Sequence, residues 1–196
     1  WVKPILFIFL SPMIGFALGT ALMVAVGWTF RRAHPRSIDS WFRRLQLVSA
    51  AAYSLGHGTN DAQKTMGIVV GLLFSAQAAF AHFPLRFLHI TTMEYIPMWV
   101  ILWAHAAIAL GTLAGGWRIV RTMGQRITKL RPYGGFCAES AGAISIFIAS
   151  HFGIPVSTTH TITGAISGVG AAQRVSSVRW GLAGRIVWAW ILPMPF

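Results

Sequence analysis

One cysteine, four acidic residues and only 10% charged side chains stand out as scarcities in this chain of 196 residues. The lone Cys137 excludes a disulfide within the chain and a cysteine-based zinc site, which leaves it as a small side chain buried in a helix. No initiator Met and no signal-peptide pattern stand at Trp1, and Pro193-Met194-Pro195-Phe196 stop inside an expected helix. The chain is therefore expected to be a fragment of a longer protein. In place of charge there are 55% hydrophobic residues and a mean hydropathy of +0.62. The charge-free runs Ile5–Phe30 and Pro97–Trp117 are long enough for spanning helices of about 20 residues. A net charge of +12 would suggest nucleic acid in a soluble domain. Here the basic residues gather in short segments between apolar runs, which is how membrane orientation is encoded. The expected partner is a lipid bilayer, not nucleic acid.

Three basic clusters set the topology. Arg31, Arg32, Arg36, Arg43 and Arg44 form the first, Arg118, Arg121, Arg126, Lys129 and Arg131 the second, and Arg174, Arg179 and Arg185 the third. All three should face the cytoplasm. Residues 5–30 then run inward, 45–80 outward and 97–117 inward again, with Arg86 the only basic residue of the outer 81–95 segment. Ser37–Arg44, with Trp41 and Phe42 among arginines, reads as an interfacial lead-in. Trp28, Trp41, Trp99, Trp117 and Trp180 read as interface anchors. Residues 136–172 hold two short helical stretches around Gly153-Ile154-Pro155-Val156, with basic clusters on both sides. They are expected to form a hairpin, re-entrant by preference, with a full-depth hairpin also allowed by length. Residues 180–196 begin a last outward span. The expected fold is a single all-α transmembrane domain with several spans.

Two places break the apolar pattern. Gly56-His57-Gly58-Thr59-Asn60-Asp61 sits within residues 45–80, which are too many for a plain span. A discontinuous helix is expected there, because irregular backbone at that depth must be buried in protein or line a wet cavity. The second place is Ser157-Thr158-Thr159-His160-Thr161 at the hairpin tip. Each break is expected to leave a helix N-terminus, capped by Ser157 or Thr158 in one case and by Asn60 or Asp61 in the other. A helix N-terminus gathers free N–H groups and about half a positive charge, which suits an oxyanion. Asp61, an acceptor only when ionised, suits a cation that travels with the anion. Broken helices meeting at mid-membrane build such sites in secondary transporters.

Each residue also has a plainer reading. Ser/Thr runs in membrane helices often bond back to their own carbonyls or glue helices together. Lys64 is either a salt-bridge partner of Asp61, three residues along one face, or a substrate contact. Glu139 is structural or belongs to the hairpin. His57 and His160 are ligands, proton carriers or hydrogen-bonded structural groups, and His105 is a packing residue. A membrane metalloenzyme using Asp61, His57 and His160 lacks the ligand spacing for zinc. A channel is a further alternative, because re-entrant hairpins also line pores.

At these residues the chain resembles a known family. Gly56-His57-Gly58-Thr59-Asn60-Asp61-Ala62-Gln63-Lys64-Thr65-Met66-Gly67 is similar to the second signature of the PiT family of inorganic phosphate transporters. Gly153-Ile154-Pro155-Val156-Ser157-Thr158-Thr159-His160-Thr161, followed by Gly164, resembles that family's Ser-Thr-Thr hairpin motif. The Gln63-Lys64 version is similar to the bacterial low-affinity branch. The resemblance implies the C-terminal half of an inverted-repeat symporter, whose N-terminal repeat is missing from this chain, and no enzyme. It implies phosphate contacts at Asn60, Ser157, Thr158 and Thr159, and a coupling-cation role for Asp61. Thr59, Gln63, Lys64, Glu139, His160 and Thr161 are candidates for supporting contacts. It implies no cofactor beyond a coupling proton or sodium, with a divalent metal carried alongside phosphate and a homodimer left open. The implied location is the bacterial inner membrane, and sulfate or another tetrahedral oxyanion is the alternative substrate.

Overall fold

The computed structural model describes residues 2–32, 34–77, 90, 92–93, 95–117, 121–154 and 156–191, and every regular element among them is helical. In chain order these are α1 (Val2–Thr29), α2 (Pro35–Ser75), α3 (Met98–Gly115), a π-helical turn (Thr122–Ile127), α4 (Pro132–His151), α5 (Thr158–Gln173), a 3-10 turn (Val175–Ser177) and α6 (Trp180–Ile191). Leu6–Thr29 and Met98–Gly115 are long and apolar enough to cross a membrane. Leu47, Ile68 and Leu113 are 73%, 73% and 81% exposed, so these apolar faces suit lipid or protein better than water. Arg86, Arg118, Pro155, residues 78–80 of the expected second span and the terminal Pro193-Met194-Pro195-Phe196 lie outside the described residues.

The chain forms two compact units, one reaching to His57 and resuming at Trp117, the other running from Gly58 to Gly116. The first is organised around α5, where every residue from Thr163 to Gly170 is buried. Such burial needs neighbours at close range, and glycines on both partners allow it. A Cβ on Gly15 of α1 would fall on the Thr161 carbonyl, and one on Gly164 of α5 would fall on the Pro12 carbonyl. Gly19 meets Ala165 and Gly168 meets Phe16 in the same way. Two Gly-x-x-x-Gly pairs thus let one helix backbone lie on the other, the packing that membrane helices favour where water supplies no drive. Thr20 Oγ1 adds a bond to the Gly168 carbonyl at 3.2 Å.

Pro12 lies inside α1 and brings no N–H for the carbonyl four residues back. That carbonyl belongs to Ile8, and the His160 ring of α5 bonds to it. The proline therefore leaves an acceptor that a neighbouring helix fills.

The expected hairpin is present in its path. Gly134, near the start of α4, meets Val169 and Gln173 near the end of α5, so the two helices run antiparallel. Cys137, Ala138, Ile166, Val169, Met23, Ile127 and Val178 form the core beside them. Phe42 of α2 stacks edge-on with Phe30 and with Phe136, each ring pair 5.3 Å apart, joining α2 to the end of α1 and the start of α4. The hairpin turn is made by Gly153 at φ +63°, a conformation that glycine adopts without strain. Its N–H reaches the Ser150 carbonyl and that of Ile154 reaches Ala149, the paired bonds of a Schellman ending.

One expectation is overturned. Residues 56–61 contain no break, because α2 is a single helix from Pro35 to Ser75. Glycine inside a helix costs roughly 1 kcal/mol relative to alanine, which is tolerable. The polar side chains find partners along the helix itself, as Asn60 Nδ2 donates to Asp61 Oδ1 at 3.2 Å and Lys64 Nζ lies 3.1 Å from the same oxygen. With the backbone bonds kept and the carboxylate paired, nothing forces the helix open. Asn60 and Asp61 accordingly cap no helix end.

The second unit packs Ala62 and Met66 of α2 against Val100 and Ala104 of α3. His105 Nδ1 contacts the Ile101 carbonyl of its own helix at 2.8 Å.

The glycine crossing gives a direct test of the first unit. Gly164→Ala should destabilise the complete protein by about 1–3 kcal/mol through overpacking. Gly27→Ala, on α1 with nothing within 4 Å of its Cβ position, should be neutral or slightly stabilising. Thermal melting in detergent, followed by size-exclusion chromatography, compares the two; equal midpoints would refute the crossing.

Candidate functional site

The hairpin tip carries the first group of candidate residues. Ser157 is extended at φ −88° and ψ 114°, and its side chain accepts from the His160 N–H at 3.5 Å, so it caps α5. The first intrahelical bond is the Thr161 N–H to the Ser157 carbonyl. The Thr159 N–H lies ahead of it, in the first turn of the helix.

The hydroxyls at the tip divide into two groups. Thr161 Oγ1 donates to the Ser157 carbonyl at 3.0 Å and Thr163 Oγ1 to the Thr159 carbonyl at 2.7 Å, so both serve their own helix. Thr161 is buried, as is Thr158, whereas Ser157 is half-buried and Thr159 exposed. Ser157 and Thr159 are therefore the more accessible residues of the motif. His160 is buried against α1 through its bond to Ile8. No charged side chain occurs from residue 140 to residue 173, so the tip itself offers an anion only neutral donors and the positive end of α5. A cavity of about 190 Å³ beneath the tip is walled by Phe7, Ile148, Phe152 and Val156, too apolar for an oxyanion.

Behind the tip, Glu139 of α4 accepts a 2.6 Å bond from Ser49 Oγ of α2, and Gln46 also bonds to it. Its half-buried carboxylate is thus held by two neutral donors. Tyr53, one helical turn beyond Ser49, donates its hydroxyl to the Thr158 carbonyl at 3.3 Å. Its ring stacks on His57 with centroids 6.1 Å apart. Gln46, Ser49 and Tyr53 were not among the candidates. A signal for them exists, because residues 46, 49, 53, 57, 60 and 64 recur at steps of three and four, a polar stripe at helical period. An interrupted helix would have broken that stripe, so the expected break concealed it.

The second group of candidate residues belongs to the other unit. Asn60 is buried, at 4% exposed, and its amide turns to Asp61. Asp61 and Lys64 form an i,i+3 pair with side chains 34% and 46% exposed. Of the two readings of Lys64, the salt bridge is the one observed. Gln63 is exposed and Thr59 half-buried. Ser157, Thr158, Thr159, His160, Thr161 and Glu139 thus belong to one unit, and Thr59, Asn60, Asp61, Gln63 and Lys64 to the other. Among the described residues no three His, Cys, Asp or Glu side chains gather closely enough to hold a metal ion.

The comparisons with known proteins point in one direction. Residues 1–196 match the phosphate transporter family. The chain is 60% identical over 188 residues to a probable low-affinity inorganic phosphate transporter of Rhizobium meliloti, covering 96% of this chain and 53% of that protein. It is 42% identical to a Bacillus subtilis protein of the same description, covering 100% of this chain and 55% of the relative. A sodium-dependent phosphate transporter 1 of Rattus norvegicus is 32% identical, over 84% of this chain and 24% of its own length. No solved structure matches the chain. The chain spans about half the length of the bacterial relatives it matches. Both the family and these relatives are transporters of phosphate rather than enzymes. With a match along its whole length and this level of identity, the chain belongs to the phosphate transporter family.

Proposed function

We propose that this chain is the C-terminal half of a cation-coupled importer of inorganic phosphate in a bacterial inner membrane. The observation that carries the reading is the capped, uncharged N-terminus of α5 inside a chain of this family. Its amide groups and the Ser157 and Thr159 hydroxyls would donate to phosphate oxygens, with Thr158 and Asn60 completing the protein's contacts. The hairpin of α4 and α5 would enter the membrane and return, bringing that helix end to mid-depth. An upstream repeat of inverted topology would supply the remaining contacts.

Asp61 has a separate task in this reading. A proton or sodium ion would compete with Lys64 for its carboxylate, and the lysine would hold the charge when the cation leaves. A proton is favoured by the resemblance to the bacterial branch, and phosphate carried with a divalent metal would need no resident metal site. Glu139, held by Ser49 and Gln46, would brace α2 against the hairpin. Phosphate is preferred over sulfate because it carries a proton of its own, which a protein acceptor can recognise and sulfate cannot offer.

Two measurements on the complete protein in vesicles test this. Asp61→Asn should lower labelled phosphate uptake at least about tenfold and remove its dependence on the proton gradient, as expected for an intramembrane carboxylate with a functional role. Uptake equal to wild type would exclude the cation role. Ser157→Ala combined with Thr159→Val should raise the phosphate KM by roughly tenfold or more, from the loss of two hydrogen bonds of about 1 kcal/mol each. An unchanged KM would make the tip structural, and equal competition by sulfate would remove the preference for phosphate.

A further inference from the structure

Tyr53 has no part in the roles assigned so far, yet three contacts fix it. Its ring lies against Gly142 of α4, where a Cβ would come within 2.9 Å of Cε2, so the glycine makes the space the ring occupies. The ring also stacks on His57, at an interplanar angle of 16°. With the ring so placed, the hydroxyl reaches the Thr158 carbonyl at 3.3 Å.

The location of that carbonyl gives the contact its meaning. Thr158 is the first residue of α5, and its carbonyl shares a planar peptide with the Thr159 N–H. In a trans peptide the two groups point in opposite directions, so pinning the carbonyl fixes where the N–H aims. This N–H stands in the first turn of α5, ahead of the Thr161 N–H to Ser157 carbonyl bond. Ser157 Oγ serves the His160 N–H. Hydrogen bonds in a chain also polarise one another, so donation to the carbonyl makes the N–H on the far side of the peptide a stronger donor. A phenol hydroxyl does both without placing a charge near the anion.

We propose that Tyr53 is a positioning residue that aims and strengthens the Thr159 amide for anion binding, an inference resting on the phosphate reading of the α5 N-terminus. It acts on substrate affinity, through a peptide, and touches no substrate. Tyr53→Phe keeps the ring on Gly142 and His57 and deletes only the hydroxyl. Gly142→Ala keeps the hydroxyl and displaces the ring.

The test is phosphate uptake by the complete protein in vesicles, paired with amide hydrogen exchange of the peptide spanning residues 157–162. Both variants should raise the phosphate KM about three- to tenfold with Vmax within twofold, and both should speed exchange at the head of α5. A wild-type KM in Tyr53→Phe overturns the proposal, whether or not exchange changes, since a hydroxyl that only braces the helix would leave affinity alone. If Tyr53→Phe fails to fold, the Gly142→Ala KM decides in the same sense. Wild-type protein that takes up no phosphate would refute the transport reading; unchanged exchange in Tyr53→Phe would then overturn the contact itself, and faster exchange would sustain it.

Discussion

Where α1 crosses α5, backbone lies on backbone, and the candidate anion site depends on that crossing. In hydrocarbon, apolar side chains gain nothing by leaving lipid for protein, so helices associate through close packing and bonds that need short range. Gly15 and Gly19 opposite Gly164 and Gly168 provide the range. Thr20 to Gly168 and His160 to Ile8 provide the bonds. The second bond exists because Pro12 cannot serve Ile8, so a helix defect in α1 becomes an anchor for α5. With α5 clamped along its length by α1 and lined by α4, its head is held where Gly153 turns the chain and Ser157 caps it.

Much of this was legible in the sequence, for physical reasons. The glycine at 153 and the hydroxyl cap at 157 are local signals, since a left-handed turn and an N-cap are each decided by one residue type. Basic residues on both sides of 136–172 already implied a chain that returns on itself. The α1–α5 crossing was harder to see, because Gly-x-x-x-Gly acquires meaning only when a second such pair is set against it from about 150 residues away in sequence.

The misread element is instructive. A glycine-flanked Asn-Asp pair looked incompatible with a continuous membrane helix, on the premise that its polar groups would lack partners. Helical geometry supplies the partners: Lys64 is one turn beyond Asp61, and Asn60 is adjacent to it. The lysine three residues along the same face was legible in the sequence; what it did not convey is that this pairing lets the helix run on unbroken. The same assumption hid Gln46, Ser49 and Tyr53, which share a stripe with His57, Asn60 and Lys64 once α2 is one helix.

On the proposed reading, that charge arrangement accounts for coupling. The α5 tip offers an anion hydroxyls, amides and a partial helix charge, but the hairpin from residue 132 to 173 has no lysine or arginine of its own. A phosphate entering such a site from water brings net negative charge into a poorly polarisable region, where burying an unpaired ion is very unfavourable. A fixed arginine would cancel that charge and bind the ion tightly, but would also hinder its release. A mobile cation cancels it only while it is present. Asp61, already paired with Lys64, is a carboxylate whose partner can be exchanged without leaving the negative group bare. On that proposal, neutral donors for the anion and an exchangeable partner for the carboxylate would make co-entry of the two ions the electrostatically favoured event, and departure of the cation would weaken the hold on phosphate.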